Sequence, residues 1–337
     1  MVLSLVGSLQ LLSGQVGATQ STHASDFSGP TGIAFQYGGV WVTNPSNNTV
    51  TELSASSGGV LRVIGASTQD FGTPDSIAVA NGFVWVADLT GNAATELDAS
   101  TGAFIKQDPF VGDTAPAGIA LGDGGVWFAN ELHESFGDGD VIPYSVSLIE
   151  LSGATGATLQ TIEGSVSNGL ESVTSIAQCG HDLWASNSNT YTISEFNGLT
   201  GAPVRVITGD GIDDPTSVAC DKSQVWVTNL DADRIVVLRA SDGSLLRTIE
   251  GASVEGSTNV AFDGSHAWVT NPYENSVTEF DVATGSLVRI LDKRADGFSA
   301  PTGVAVGDGH VWVTNQHGNS VTQLDEKTGD VQKIIRS

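Results

Sequence analysis

Short runs of apolar and β-branched residues, each four to six residues long, follow one another along the chain, separated by turns rich in Gly, Asn and Asp. Val, Ile, Thr and Trp dominate these runs, and no stretch has the 3.6-residue period of an amphipathic helix. Residues 281–285 and their counterparts lie between runs, where Asp bonds its own turn and Gly accepts the positive φ of a bulged hairpin. The pattern predicts an all-β fold built from hairpins.

One phrase recurs seven times, and a tryptophan marks it each time. Successive tryptophans stand 44, 42, 57, 42, 42 and 44 residues apart: Trp41, Trp85, Trp127, Trp184, Trp226, Trp268 and Trp312. Asn or Asp follows three residues later: Asn44, Asp88, Asn130, Asn187, Asn229, Asn271 and Asn315. Four short strands in about 42 residues are typical of one propeller blade. The sequence therefore predicts a seven-bladed β-propeller of four-stranded antiparallel blades.

The repeats also predict the boundaries. The propeller spans 30–337, with blades at about 30–72, 73–114, 115–171, 172–213, 214–255, 256–299 and 300–337. Residues 1–29 form an N-terminal segment in which 7–12 and 26–32 echo 285–291 and 297–303. We expect this segment to be the tail of a partial repeat that joins the last blade, which leaves open which terminus closes the ring.

Two further regularities have structural interpretations. Each first strand carries an Ala, and two residues earlier stands a small residue or Asn: Gly32, Ser76, Gly118, Ser175, Ser217, Asn259 and Gly303. We expect these small side chains where seven strands crowd a central axis. Glu52, Glu195 and Glu279 each precede an Arg by ten residues, and the register of a hairpin predicts ion pairs with Arg62, Arg205 and Arg289.

Charge narrows the classes of partner. Lys and Arg number 13 against 38 Asp and Glu, for a net charge of −25. Binding a phosphate backbone needs a basic face, so we expect no nucleic-acid partner. No eighteen consecutive residues are apolar, and the first basic residue is Arg62, so we expect neither membrane insertion nor a clear signal peptide at the start of this chain. We expect a monomer.

The phrase Val-Trp-Val-Thr-Asn followed by Asn-Ser-Val-Thr-Gln-Leu-Asp in residues 311–325 resembles the YVTN/NHL class of propeller repeats. It is also similar to that of streptogramin (virginiamycin B) lyases, seven-bladed enzymes that open a cyclic antibiotic ester with Mg²⁺. In that family a first-strand His acts as base and two Glu help to hold the metal. The resemblance implies the propeller fold.

The lyase residues themselves are absent. The positions equivalent to the His carry Thr31, Asp75, Ala117, Thr174, Thr216, Thr258 and Thr302. The Glu position holds Asn or Asp in every repeat, and Thr is no base near neutral pH. Sugar-lactonase propellers use Glu, Asn and Asp around Ca²⁺, a role that Asn259 and Asp75 would fill here only with a third ligand. The sequence predicts no catalytic residue.

The 57-residue step marks an insertion in the third repeat. Ser147 follows Trp127 by twenty residues, whereas Thr49 follows Trp41 by eight, so the extra residues lie between the second and third strands. Expanded loops on rigid blades commonly carry function. The predicted ligand- or partner-binding residues in this loop are Glu131, His133, Glu134, Asp138, Asp140 and Tyr144. Among them Glu131, Asp138 and Asp140 offer hard oxygen ligands for Ca²⁺.

Cys179 and Cys220 occupy nearly equivalent positions in adjacent repeats, where a disulfide and two free thiols are the alternatives. A disulfide would favour an extracellular or cell-surface location. We hypothesise a non-catalytic propeller that binds an unknown protein or small molecule. Its contact surface would be the face of Asn44 to Asn315 with the inserted loop, and it requires no cofactor. The alternative is a Ca²⁺- or Mg²⁺-dependent lyase or lactonase with its site in the channel.

Overall fold

Each repeat folds into a four-stranded antiparallel meander, and seven of these sheets form the blades of a β-propeller. The computed structural model describes residues 26–65, 71–110, 114–122, 124–132, 145–221, 223–292 and 297–336. In these ranges the only helices are two single 3-10 turns, Pro45–Asn47 and Ala252–Val254. No helix within them is long and apolar enough to cross a membrane. The predicted partial repeat in residues 1–29 lies outside the described residues up to position 25.

The strands follow chain order within every blade. Blade 1 contains β1 (Ile33–Gln36), β2 (Gly39–Asn44), β3 (Thr49–Ser54) and β4 (Val60–Gly65). Blade 2 contains β5 (Pro74–Ala80), β6 (Phe83–Asp88), β7 (Ala93–Asp98) and β8 (Phe104–Pro109). Blade 3 contains β9 (Thr114–Leu121), β10 (Gly125–Leu132), β11 (Ser145–Ser152) and β12 (Thr158–Glu163). Blade 4 contains β13 (Val173–Cys179), β14 (Asp182–Asn187), β15 (Thr192–Asn197) and β16 (Pro203–Thr208).

The last three blades repeat the same order. Blade 5 contains β17 (Pro215–Asp221), β18 (Gln224–Asn229), β19 (Arg234–Arg239) and β20 (Leu245–Glu250). Blade 6 contains β21 (Asn259–Phe262), β22 (His266–Asn271), β23 (Ser276–Asp281) and β24 (Leu287–Leu291). Blade 7 contains β25 (Pro301–Gly307), β26 (His310–Asn315), β27 (Ser320–Asp325) and β28 (Val331–Arg336).

The repeated tryptophans hold the blades together. All seven are at most 1% exposed, and each lies in an apolar cluster with residues of the following blade. Trp41 packs against Val84 and Val86 of blade 2. Trp312 of the last blade packs in the same way against Val40 and Val42 of the first. The ring therefore closes through the contact that joins every other pair of blades.

The predicted ion pairs form in the outer hairpin of three blades. Glu52 faces Arg62 across β3 and β4, and their Oε2 and Nε atoms are 2.7 Å apart. The equivalent distances are 2.9 Å for Glu195 with Arg205 and 2.6 Å for Glu279 with Arg289. In blade 7 the same register pairs Gln323 with Lys333. Because the pairs repeat around the ring, they belong to the scaffold.

A disulfide joins Cys179 of blade 4 to Cys220 of blade 5, with 6.0 Å between their Cα atoms. Both cysteines lie near the ends of first strands, β13 and β17, and not in the loops that follow. The bridge therefore ties together two neighbouring strands of the channel wall. It closes a loop of about 41 residues in the unfolded chain.

We expect reduction of this disulfide to lower the free energy of unfolding by about 4 kcal/mol, because the oxidised unfolded chain has less entropy to gain. Urea unfolding of the wild type with and without dithiothreitol measures the difference. The double variant Cys179→Ser, Cys220→Ser is the control, since dithiothreitol should leave its midpoint unchanged. Equal midpoints for oxidised and reduced wild type would contradict the prediction.

A second expectation concerns Glu195. Burial raises the pKa of this carboxyl to about 7, Arg205 works in the opposite direction, and Asp182 raises the pKa further. The folded protein thus holds the Glu195 proton more tightly than the unfolded chain, whose ordinary value is 4.5. The stability contributed is complete below about pH 4.5 and falls as the pH rises towards 7.

Glu195→Gln should flatten this dependence, since an amide does not titrate. The chain already places Gln323 at the same position of blade 7, so the fold accommodates the substitution. Urea unfolding at several pH values between about 4.5 and 7 gives the slope for each protein. Glu163→Gln, at an exposed site, is the matched control. An equal slope in wild type and Glu195→Gln would refute the assignment.

Candidate functional site

The first strands of all seven blades begin around one end of the central channel, which we call the channel mouth. The cavity there has a volume of about 380 Å³. Its outer positions are Thr31, Asp75, Ala117, Thr174, Thr216, Thr258 and Thr302. The next positions inward are the predicted small residues, Gly32, Ser76, Gly118, Ser175, Ser217, Asn259 and Gly303. The prediction that small side chains line the axis is confirmed.

Crowding explains the smallest of these residues. A Cβ added to Gly303 would collide with the Thr31 carbonyl oxygen, and one added to Gly32 would collide with the Asp75 carbonyl oxygen. Both obstacles are backbone atoms of the next blade, which cannot rotate away. Glycine therefore permits the close approach of neighbouring first strands.

Threonine hydroxyls link the blades at the mouth. Each donates to a backbone carbonyl of the next blade: Thr31 to Asp75 at 3.2 Å, Thr174 to Pro215 at 2.8 Å, Thr216 to Ser257 at 3.0 Å, and Thr302 to Pro30 at 3.2 Å. A hydroxyl of the second strand lies beside each: Thr43, Ser186, Thr228 and Thr314. These four threonines therefore have a structural role as links between blades.

Blades 2 and 3 depart from this arrangement. Asp75 and Ala117 stand at the first-strand position, and Ala87 and Ala129 replace the second-strand hydroxyl. We call these four residues the altered sector. The link to blade 3 comes instead from Ser76, whose hydroxyl donates to the Ala117 carbonyl. Two adjacent blades have therefore lost the hydroxyl pair that the others use.

Among the described residues that line the cavity at the mouth, Asp75 is the only ionisable one. Burial raises its pKa, and a hydrogen bond with the Thr31 side chain acts in the opposite direction. No Lys, Arg or His in the described part of the chain contributes to this change in the pKa of Asp75. The carboxylate is thus held in a partly desolvated position without a compensating positive charge.

The inserted loop leaves blade 3 next to this sector. At the end of β10, Asn130 pairs with Pro116 and Glu131 with Ala115, directly before Ala117 on β9. Glu131 also pairs with Val146 at the start of β11, so the loop rises from the mouth end of the blade. The other predicted site residues of the loop, His133, Glu134, Asp138, Asp140 and Tyr144, lie outside the described residues. Of the predicted Ca²⁺ ligands, only Glu131 is described.

The repeated Asn and Asp side chains are buried, so they do not themselves contribute surface to the face that the sequence predicts for contact. Each is at most 4% exposed. Asn44 Nδ2 donates to Thr49 Oγ1 at 3.2 Å and to Thr51 Oγ1 at 3.0 Å on the next strand. Asp88 accepts the backbone N–H groups of Gly72 and Thr73 at 2.7 Å. These side chains fasten the loops at the mouth end and face inward because those backbone and hydroxyl groups need partners.

Among the described residues that line the mouth there is no His and no Cys. Across the described ranges, no group of three His, Cys, Asp or Glu is placed to hold a metal ion. Asp75 and Asn259 do line the same cavity, but no other carboxylate or amide side chain lies among the described residues that line it. In blade 6, Ser265 and Asp263 both approach Nδ1 of His266, so they cannot form a relay through the ring.

A second cavity, of about 370 Å³, continues the channel from the mouth. Ile77 and Ile119 border both cavities. Its other lining residues are Ala34, Phe35, Ala78, Val79, Ala120, Leu121, Ile176, Ala177, Gln178, Val218, Ala219 and Cys220. The channel therefore changes from an oxygen-rich mouth to an aliphatic interior.

Sequence comparison yields no relative, since no protein-family model and no curated protein matches the chain. Solved structures do resemble it. A streptogramin B lyase structure has a TM-score of 0.68 at 19% identity, over 86% of this chain and 92% of that one. Virginiamycin B lyase from Staphylococcus aureus has a TM-score of 0.69 at 16% identity, over 86% of this chain and 92% of that one. BamB from Moraxella catarrhalis has a TM-score of 0.56 at 16% identity, over 87% of this chain and 82% of that one. At these identities the likeness shows the fold alone.

Proposed function

We propose that this chain is a non-catalytic binding propeller whose ligand contacts the channel mouth at the altered sector. One observation carries the proposal: the departures from the repeat fall together on blades 2 and 3. Asp75 and Ala117 replace linking threonines, and the insertion rises beside Ala117. A scaffold gains from uniform blades, whereas a binding site needs residues that occur once.

The departures also carry a cost in stability. At Ala117 the hydroxyl that would donate to blade 4 is missing, and such a hydrogen bond is worth about 1 kcal/mol, whereas in blade 2 Ser76 supplies the link instead. Sites that bind ligands often retain residues that do not favour the fold. Asp75, partly desolvated and without a cation, fits that description. Selection for binding explains such a residue better than selection for the ring does.

The proposed binding function also involves the inserted loop and a location outside the cytoplasm. Glu131, His133, Glu134, Asp138, Asp140 and Tyr144 would contact a protein or small molecule held at the mouth, with Ca²⁺ at Glu131, Asp138 and Asp140 as an optional ligand. The disulfide supports a location outside the cytoplasm, since such bonds persist in oxidising compartments. The repeats would belong to the YVTN/NHL class.

A second candidate is favoured by the solved structures, since two proteins named as lyases share the fold. A lyase of this type, or a lactonase, would use the same channel. Against it stand the residues at the mouth, which include a carboxylate but no His. Incubating the protein with a streptogramin B and Mg²⁺, followed by mass spectrometry, separates the two candidates. Unchanged antibiotic supports the binding propeller, and ring-opened product would establish the lyase.

The double variant Asp75→Thr, Ala117→Thr tests the site by restoring the threonines of the other blades. We expect its free energy of unfolding to be about 1 kcal/mol higher than that of the wild type, because hydroxyl links between blades are regained. We also expect it to lose ligand binding. Ligand-observed NMR with a library of neutral, anionic and cationic fragments measures the binding. Fragments that bind wild type should weaken at least tenfold in the variant.

Thr216→Val is the matched control in blade 5, separated from the altered sector by blade 4. It removes one link, so its stability should fall by about 1 kcal/mol while fragment binding persists. The proposal fails if no fragment binds wild type, or if those that bind are held equally well by Asp75→Thr, Ala117→Thr.

A further inference from the structure

Four threonine hydroxyls at the channel mouth are already committed as hydrogen-bond donors. The hydroxyl protons of Thr31, Thr174, Thr216 and Thr302 are directed to backbone carbonyls of the next blade. What these hydroxyls can offer a ligand is therefore an oxygen lone pair. Asn259 is the lining side chain with amide N–H donors. A ligand that brings its own donors fits such a surface better than one that brings acceptors.

The negative charge of Asp75 at the mouth also favours a ligand that carries hydrogen-bond donors. The first 200 residues contain two basic residues, Arg62 and Lys106. Arg62 lies 2.7 Å from Glu52, and Lys106 lies 3.0 Å from Asp108 in the outer hairpins of their blades. Both are therefore paired within their own blades, and no Lys or Arg is among the described residues that line the mouth with Asp75. Burial raises the pKa of Asp75, and a bound positive charge would favour the ionised form.

Below the oxygen-rich rim the walls are aliphatic. Ile33, Ile77, Ile119 and Val304 line the cavity at the mouth, and Ile77 and Ile119 continue into the second cavity. Burying an alkyl chain there removes apolar surface of both the ligand and the channel wall from water. The channel thus offers an entrance with one carboxylate and several hydroxyls, followed by a section whose lining side chains are mostly aliphatic.

We propose that the channel mouth binds the ammonium group of an alkylamine against Asp75 while the alkyl chain enters the aliphatic passage. This inference rests on the proposed function, and it adds the chemical class of the ligand. The ammonium group supplies three donors to the carboxylate and to threonine oxygens. Such an amine is either a free small molecule or the side chain of a lysine on a partner.

Three probes of equal length test the charge and the chain separately. Isothermal titration with n-hexylammonium, 1-hexanol and hexanoate should give the ammonium at least tenfold tighter binding than the alcohol, and no measurable binding of the carboxylate. Nα-acetyl-lysine amide forms a fourth arm. Tighter binding of hexylammonium than of this amide supports a free amine as ligand, and the reverse supports a lysine side chain.

Asp75→Asn keeps the shape of the side chain and removes its charge. We expect it to bind hexylammonium no better than hexanol, a loss of tenfold or more, with little change for the alcohol. Asp75→Thr, which carries the residue of five other blades, repeats the test if the amide variant folds poorly. Asp210→Asn removes the same charge from an exposed loop and should bind hexylammonium as wild type does.

Equal affinity of wild type for hexylammonium and hexanol, or undiminished amine binding by both Asp75 variants, would overturn the inference. The proposed function is tested independently of the ligand class. If other fragments bind and are lost in Asp75→Thr, Ala117→Thr while the amine shows no preference, the site stands and its ligand belongs to another class. If no probe and no fragment binds, both proposals fall.

Discussion

The structure depends on one contact repeated around a circle: a buried tryptophan that packs against the sheet of the next blade. The chain closes into a ring only if the last of these contacts is made, and Trp312 makes it on blade 1. Hydroxyls at the inner ends of the strands reinforce the closure, because Thr314 donates to the Thr31 carbonyl at 2.8 Å. Every blade must therefore present the same two faces, which leaves little freedom except at the mouth and in the loops.

This constraint explains which features could be predicted from sequence. The spacing of tryptophans, the small residues before each first-strand Ala and the partners of Glu52, Glu195 and Glu279 all follow from geometry within a single repeat. Such regularities appear seven times or recur at fixed offsets, so one chain provides its own comparison. The blade count and the ion pairs were accessible for that reason.

The site was less accessible because its contacts join different repeats. Nothing in the local sequence says that Thr31 donates to a carbonyl 44 residues later, so Asp75 and Ala117 seemed only to lack a lyase base. The sequence did not predict the buried role of Asn44, because its partners Thr49 and Thr51 can be identified only in the folded hairpin. The signal was present in the sequence: two adjacent repeats without threonine at a position where five others have it.

Proteins that share this fold carry names as different as a lyase and BamB, so the ring itself does not specify chemistry. Within this chain, what varies from blade to blade is the set of residues at the mouth, where most blades carry a small side chain and a hydroxyl. A carboxylate at Asp75 opposes the fold because it is partly removed from water. Under the proposal made above, a bound cation with donors would offset that penalty. The residue that fits the empty ring least is thus the one that a bound ligand would fit best.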